Sequence, residues 1–426
     1  MKFMVLLVSS SLLFLSISSV ARAQEPSRPS AVASLNDLLA EAERNNPQIR
    51  AARQHWEVAK EGPSQVSTLP DPTVLFQQLS AGSPRPFSGY TNSEMANVAL
   101  GVSQEIPYPG KLRLRGQIAS MEAEVWNDQY ESVRRTVLDN VKANYFQLSY
   151  LATKLGILQA DQSLLKPIEQ SAEAHFRQGM GSEQDVLQAQ LQQTRVLREV
   201  TATQLQADTV QAKLKQLLNR DQSSTDIDTA QLSESAVSYT YADLLKAAQS
   251  NNPGIAGAQR MIERQKLQVD LSHKDFYPDF NIQYMWFRTD PFEYRARYQI
   301  SVGIRIPIYR ARRQEHELAQ AKLEESRART ELEAESQGVA SDLRQQYAAA
   351  VQSAKLLKIY REGLLPQARA ELQAGTASYA AAREDFQALL ASFVDVLTLD
   401  EQYWQTLAEH ETALASIEKT TGLSLR

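Results

Sequence analysis

The sequence predicts a mainly α-helical fold with a small β portion, built from two structural repeats of the order helix, strand, strand, long helix, helix. Three observations predict it: an internal repeat, two helices of about 70 residues, and four segments in which apolar and polar side chains alternate. Helices of that length are several times the ~11–12-residue average of globular domains. Long rods beside a small sheet are therefore expected.

The chain begins with the pattern of an exported protein. Lys2 precedes an uncharged, mostly apolar run from Phe3 to Val20, and Ala21–Ala23 has the small-residue pattern of a cleavage site. These features predict a signal peptide over residues 1–23 and a mature chain that starts near Gln24.

The internal repeat has two matching halves. Asp37–Leu39 and Asn45–Pro47 recur, at the same spacing, as Asp243–Leu245 and Asn251–Pro253. Further matches pair Pro70-Asp71 with Pro278-Asp279, Ile106-Pro107 with Ile306-Pro307, and Leu165-Lys166-Pro167 with Leu364-Leu365-Pro366. The first repeat is predicted over 24–219 and the second over 240–426, joined by a Ser-, Thr- and Asp-rich equatorial linker at 220–239.

Each repeat is expected to hold three helices and two strands. In the first, the helices cover about 34–68, 111–177 and 183–219, and the strands about 72–80 and 96–106. In the second, the helices cover about 240–276, 311–381 and 383–420, and the strands about 278–288 and 296–306.

The long helices need helical partners. In 111–177, apolar residues step by three or four positions, at Val137, Val141, Tyr145, Leu148, Ala152 and Leu155. Such a seam lies along one helix face and packs against another helix. Because the two shorter helices of a repeat together match the length of its long one, they are expected to stack end to end beside it.

The fourth strand alternates most clearly. Tyr298, Ile300, Val302, Ile304 and Ile306 alternate with Arg297, Gln299, Ser301, Gly303 and Arg305. This pattern is typical of a membrane barrel with an apolar exterior and a polar lumen, and also of a half-buried sheet in a soluble domain. The signal peptide and the lack of a separate amphipathic helix to cover the sheet favour the barrel. Since four strands cannot close a barrel, copies of the chain must pool their strands.

Composition excludes several classes of protein. Without cysteine the chain has no disulfide, no thiolate metal site and no lipid-modified N-terminal cysteine. A net charge of -5 with interspersed signs offers no basic surface for nucleic acid. No two of the five histidines lie three or four residues apart, a spacing that argues against a metal site, and Gly110-Lys111 lacks the rest of a phosphate loop. No catalytic constellation is present.

A proline motif marks each passage from strand to helix. Pro107 removes a ladder donor and ends the strand, while Pro109 and Gly110 allow a sharp turn into the helix that opens near Lys111. Pro307 holds the matching position in the second repeat.

The whole mature chain resembles the TolC family of outer-membrane efflux proteins. The resemblance rests on the doubled element order, the Asn-Asn-Pro repeat and the segment Gln104–Lys111, which is closest in motif to the heavy-metal branch represented by CzcC and CusC. It implies a homotrimer with a 12-stranded outer-membrane β-barrel that continues into a periplasmic α-helical, coiled-coil barrel. It also implies a Gram-negative outer membrane, passive export without a cofactor, a periplasmic adaptor and an inner-membrane pump of the RND type, or a type I secretion system.

The resemblance assigns the turns between the long helices to adaptor docking. The corresponding residues are Phe176, Gly179, Ser182, Tyr379, Ala382, Arg383 and Phe386. Ala382 departs from the family's glycine. The residues alone also allow a plain interpretation, in which Gly179 and Gly181 merely permit a tight turn between helices.

Acidic residues near these turns are candidates for a tunnel gate. Asp185 matches a family aspartate, whereas the positions of the family's second-repeat aspartates hold Ala388 and Ala391. Glu384 and Asp385 are the candidates to replace the missing second-repeat aspartates. The alternative for both is that they are ordinary solvated helix charges.

Two other functions are alternatives to an export channel. A secreted periplasmic coiled-coil scaffold or adaptor that does not enter the membrane would explain the helices and the repeat but would leave the alternating strands without a role. An exported hydrolase lacks a candidate nucleophile in a suitable setting.

Overall fold

The computed structural model describes residues 33–79, 97–288, 297–381, 383 and 385–425. The predicted signal peptide, residues 1–23, lies outside this part of the chain. So do Ala382, Glu384 and the predicted strand ends at 80, 96 and 296.

The elements follow the order of two repeats. The first contains α1 (Leu35–Asn45), α2 (Pro47–Ser67), β1 (Thr73–Leu79), β2 (Asn97–Ile106), α3 (Lys111–Arg177) and α4 (Glu183–Leu218). The second contains α5 (Tyr241–Asn251), α6 (Pro253–Lys274), β3 (Asp279–Arg288), β4 (Arg297–Arg305), α7 (Gln314–Ile359), a π-helical turn (Tyr360–Leu364), α8 (Leu365–Ala380) and α9 (Phe386–Thr421). The fold class is that predicted from the sequence.

The Asn-Asn-Pro motif divides both helices that were expected to be continuous, at 34–68 and 240–276. Asn46 has an extended backbone, and its side-chain oxygen accepts hydrogen bonds from the second and third residues of α2 at 2.8 and 3.2 Å. Its Nδ2 donates to the Leu217 carbonyl oxygen at 2.8 Å. Asn252 repeats the cap and donates to a carbonyl near the end of α9 at 3.1 Å. The motif thus ends one helix, starts the next and ties both to a distant helix end.

The helix predicted at 311–381 also differs from the expectation. It begins at Gln314 and is interrupted by the π-helical turn just before Pro366. Because proline lacks an N–H and crowds the preceding turn, a wider turn accommodates it. The helix expected from 383 begins at Phe386.

The helices pack in the order of the strands. Next to the sheet, α2 packs on α3, α3 on α6 and α6 on α7, and the sheet order is β1-β2-β3-β4. Farther away, α3 lies between α4 and α9, and α9 packs on α7 and α8. The 67 residues of α3 therefore run beside α2 and then α4. At 1.5 Å per residue, α3 is about 100 Å long.

Two buried clusters hold these layers together. One joins α1, α3, α4, α9 and Ile227 of the linker. The other joins α3, α4, α8 and α9 towards the turns between the helices. None of the helices in the described ranges has a stretch long and apolar enough to cross a membrane.

Candidate functional site

The sheet has one apolar and one polar face. Antiparallel pairing aligns Val74, Val102, Tyr284 and Ile300 in one row across the four strands. The next row aligns Thr73, Ser103, Gln283 and Ser301 on the opposite face. Because successive side chains of a strand point to opposite faces, the alternation seen in the sequence separates the two surfaces completely in β4.

The exposed side chains differ between these faces. On the apolar face, Ile300 is 72% and Tyr298 65% exposed in the single chain. On the polar face, Ser103 donates a hydrogen bond to Asn281 at 2.7 Å, and Arg305 pairs with Glu105 at 3.0 Å across β3. Such a sheet can stand between hydrocarbon and water.

The first strand-to-helix junction is locked by a buried lysine. Gly110 adopts φ +94°, a conformation that glycine reaches without strain, and α3 starts at the next residue. Lys111 is only 3% exposed, and its Nζ lies 3.0 Å from Asp275 and 2.9 Å from Asp279. The backbone N–H of Tyr108 donates to the same Asp279 carboxylate at 2.8 Å. These contacts give the proline-glycine segment a structural role.

The second junction is built differently. Pro307 follows β4, and the adjoining Ile306, Ile308 and Tyr309 are all well exposed. At the first junction, by contrast, Tyr108 stacks on Tyr277 with ring centroids 4.6 Å apart.

The first turn between long helices is held by its backbone. Gly179 has φ +73°, and the N–H of Met180 donates to the His175 carbonyl at 2.9 Å, which closes the end of α3. Ser182 then caps α4: its hydroxyl oxygen accepts from the Asp185 N–H at 3.2 Å, and its own N–H donates to the Asp185 carboxylate at 3.0 Å. This reciprocal pair is a capping box.

Aromatic side chains bring the two turns together. The Tyr379 ring lies 4.9 Å from the His175 ring and 5.6 Å from the Phe386 ring, measured between centroids. Burial raises the pKa of Tyr379, and the nearby carboxylates of Asp185 and Asp385 raise it further. The ends of α3 and α8, far apart in sequence, therefore meet at one end of the molecule.

The predicted docking residues fall into two groups at this end. Tyr379 and Phe386 are buried in the cluster beneath the turns, so they support the turns from within. Phe176, Gly179 and Arg383 are exposed at the turn surface, as is Ser182 at the start of α4. Ala382 is outside the described residues.

The predicted gate residues also differ from one another. Asp185 is engaged in the capping box, whereas Asp385 precedes α9 and makes no capping hydrogen bond. Glu384 is outside the described residues. Asp185 and Asp385 both act on Tyr379, so two of the three predicted carboxylates lie at the same end of the rod.

A buried lysine that the sequence analysis missed links three helices. Lys154 on α3 binds Glu199 of α4 at 2.8 Å and also binds Glu401 of α9. Desolvation lowers the pKa of Lys154, but hydrogen bonds to the two carboxylates outweigh it and the pKa is raised. The sequence feature that could have indicated this ion pair is the position of Lys154 next to Leu155 of the apolar seam.

A buried aspartate lies two turns farther along α3. Asp161 is 7% exposed, and one of its carboxylate oxygens has no hydrogen-bond partner among the described residues. Burial raises its pKa to about 6, with repulsion from Asp400 as a further cause. Asp400 itself pairs with Arg369 at 2.7 Å.

Metal ligands do not cluster in the described part of the chain, where no group of three or more His, Asp or Glu side chains could hold an ion. His410 is fully buried, with Nε2 2.8 Å from the Ser235 carbonyl oxygen and Nδ1 2.9 Å from the Ser353 hydroxyl. It ties the linker to α7 and α9.

Comparison with known proteins agrees with this geometry. The family model described as outer membrane efflux protein matches residues 38–220 and 244–422, one match for each repeat. No curated protein sequence matches the chain.

Several solved structures share the fold. The outer membrane protein VceC of Vibrio cholerae superposes with a TM-score of 0.77 at 15% identity, over 92% of this chain and 97% of VceC. The CmeC channel of Campylobacter jejuni gives 0.78 at 16% identity, over 98% and 93% of the two chains. CusC gives 0.78 at 14% identity, over 92% of each. Together with the family match, these similarities identify the chain as a member of the outer membrane efflux protein family, a non-enzymatic TolC-family channel of the outer membrane that extends into the periplasm.

Proposed function

We propose that three copies of the chain form one export duct, with a twelve-stranded barrel above a helical tunnel. The observation that carries this proposal is the four-stranded sheet, in which β1 and β4 are the edge strands among the described residues and one face is apolar. Unpaired strand edges are not tolerated in hydrocarbon, and about eight strands are the fewest that close a filled barrel. Two or more sheets joined edge to edge satisfy both requirements, and the trimer of TolC-family channels sets the proposed number at three.

The helices support the same closure. The layer next to the sheet ends in α2 on one side and α7 on the other. Val58 on α2 and Leu323 on α7 are each 72% exposed, and each lies nine residues from the helix end nearest the sheet, Ser67 and Gln314 respectively. These two exposed apolar side chains are the same number of residues from the sheet and lie on opposite edges of the layer. In a closed ring, the Val58 side of one copy would therefore contact the Leu323 side of the next.

Cross-linking tests this arrangement in a chain that has no native cysteine. A variant with Val58→Cys and Leu323→Cys, treated with a short bis-maleimide in envelope membranes, is expected to yield covalent trimers. A matched variant with Val58→Cys and Leu205→Cys keeps one edge residue and moves the other to an exposed site on α4, and it should yield few trimers. Monomers alone, or an open ladder of larger products from the first variant, would contradict a closed trimer.

We further propose that the turns at the far end dock a periplasmic adaptor, which joins the duct to an inner-membrane pump of the RND type. The exposed residues Phe176, Gly179, Ser182 and Arg383 are the proposed contacts, together with Ala382. Tyr379 and Phe386 are proposed to shape this surface from beneath. Support comes from their convergence at one end, a full length of α3 from the sheet.

The proposed gate consists of Asp185, Glu384 and Asp385, repeated three times around the tunnel end. Neutralising all three with Asp→Asn and Glu→Gln changes is expected to raise the resting conductance in planar bilayers, because bound cations or basic partners would lose their anchor. Asp208→Asn, an exposed charge on α4 away from the turns, is the control. Equal resting conductance in both proteins would indicate that these carboxylates are ordinary solvated charges near the helix ends.

The solutes that the duct exports are a separate question. Heavy-metal cations are one candidate class, favoured by the likeness of Gln104–Lys111 to the CzcC and CusC branch. That segment also has a structural explanation, since its proline, glycine and lysine build the first junction. Metal tolerance in a strain lacking its own channel separates the two interpretations: restored tolerance supports the metal branch, and restored tolerance to organic solutes alone opposes it.

A further inference from the structure

A cavity of about 920 Å³ lies where the polar face of the sheet meets α3, α6 and α7. Glu105, Asp279 and Arg305 contribute its wall on the sheet side. In the proposed duct this face lines the lumen, so the cavity opens onto the path of the solute at the passage from barrel to tunnel. The inference below rests on that proposed function.

Most charges around the cavity are already paired. Lys111 is neutralised by two aspartates at 2.9 and 3.0 Å, and Arg305 pairs with Glu105 at 3.0 Å. Arg313 pairs with Glu317 at 3.0 Å. Lys111 with its two aspartates carries one net negative charge and the two arginine–glutamate pairs carry none, so these groups leave no unpaired cation for a solute.

Arg115 is the exception. It lines the cavity from the first turns of α3, is exposed, and makes no ion pair or hydrogen bond with the described residues. A guanidinium binds a carboxylate with two parallel hydrogen bonds, a geometry that lysine cannot offer. The cavity thus presents one guanidinium group, that of Arg115, whose N–H donors have no partner among the described residues.

The opposite wall supplies neutral amides. Gln265 and Gln268 come from α6, and Gln314 and Gln320 from α7. Gln314 is 9% exposed, and its side-chain oxygen has no hydrogen-bond partner among the described residues. An unpartnered buried acceptor is costly, and an N–H or O–H group on a bound molecule, reached by rotation of the side chain, would satisfy it.

We infer that this cavity is a transient binding site for organic solutes that carry a carboxylate and an N–H or O–H donor. The carboxylate pairs with Arg115, and the donor meets the glutamine wall around Gln314. The cavity volume is in the range of sites that hold drug-sized molecules. Each duct of three chains would carry three such sites.

The experiment uses the full channel in planar bilayers, with N-dansylglycine as the probe. This probe has a carboxylate and a sulfonamide N–H, and its methyl ester lacks the charge. N-dansylglycine is expected to produce brief interruptions of the single-channel current, whereas the ester should produce few. Arg115→Gln should shorten these interruptions about tenfold, which corresponds to the loss of one charge-assisted contact. Gln314→Met should shorten them by a smaller factor.

Arg113→Gln is the matched control, since Arg113 is exposed on the same turn of α3 but does not line the cavity. Its interruptions should match those of the unchanged channel. An open channel with no probe-dependent interruptions, or equal loss in the Arg113 and Arg115 variants, would overturn the site. Absence of any channel current would instead count against the proposed function and leave the two failures distinguishable.

Discussion

Replacing Ile300 with lysine is expected to lower the amount of assembled oligomer in the outer membrane about tenfold or more. Ile300 lies on the apolar face between Tyr298 and Val302 and is 72% exposed in the single chain. A lysine that faces lipid near the membrane midplane costs about 2–4 kcal/mol, and a symmetric trimer incurs this cost three times. Heat-modifiable oligomer bands from isolated outer membranes measure the effect.

Gln299→Lys is the matched control for that experiment. Gln299 is the adjacent residue and lies on the polar face, where it donates a hydrogen bond to Ser301 at 3.0 Å. A lysine there reaches water, so assembly should remain near normal. If Gln299→Lys abolished assembly while Ile300→Lys did not, the two faces of β4 would be reversed. Normal assembly of both variants would place the apolar face in water.

The faces of the sheet could be predicted because they depend on local sequence alone. Alternate residues of a strand point to opposite sides, so the alternation from Arg297 to Arg305 predicts on which face of the sheet each side chain lies. The pairing of Val102 with Tyr284 and of Tyr284 with Ile300 could not be predicted in this way. It depends on which strands become neighbours, and nothing in one strand's pattern specifies its partner's register.

The breaks in the helices were partly foreseeable. Asparagine followed by proline is a strong helix-start signal, and Asn46-Pro47 and Asn252-Pro253 carry this signal within the two segments predicted as continuous helices. Their amide donors reach the ends of α4 and α9, contacts that only the folded chain brings together. The π-helical turn before Pro366 is less predictable, because α3 passes through the equivalent Pro167 without such a turn.

The motif at the turns between the helices does not predict which of its residues are buried. The family resemblance placed Tyr379 and Phe386 among the docking residues, but the structure buries both beside His175. Burial here results from the meeting of two turns about 200 residues apart, which no local pattern reports. The proposed docking surface is consequently smaller and is centred on the exposed residues Phe176, Gly179 and Arg383.

Replacing Gly179 with tryptophan is expected to abolish export while the oligomer stays assembled. Apart from the two neighbours in the chain, no atom of the described residues lies within 4 Å of a Cβ added at Gly179, so the new side chain would project outward at the proposed docking surface. The left-handed conformation at φ +73° costs a non-glycine residue about 1–2 kcal/mol. That strain is small beside the buried cluster of α3, α4, α8 and α9, which should keep the turn folded. Dye accumulation in a strain lacking its own channel measures export, and co-purification of the adaptor measures docking.

Two further variants separate the effect of a bulky side chain at the turn from the effect of removing the glycine itself. Gly179→Asn introduces a small side chain that tolerates the left-handed region, so export should be largely retained. Gly156→Trp adds the same bulk at an exposed α3 position, about 30 Å from the turn, and should leave adaptor binding intact. Beyond its own helix backbone, a Cβ added there again meets no atom of the described residues within 4 Å. Normal export by Gly179→Trp would rule out this turn as the docking surface. Loss of export with the adaptor still bound would instead indicate that the turn acts in opening the duct, since the same end carries the Asp185 and Asp385 carboxylates.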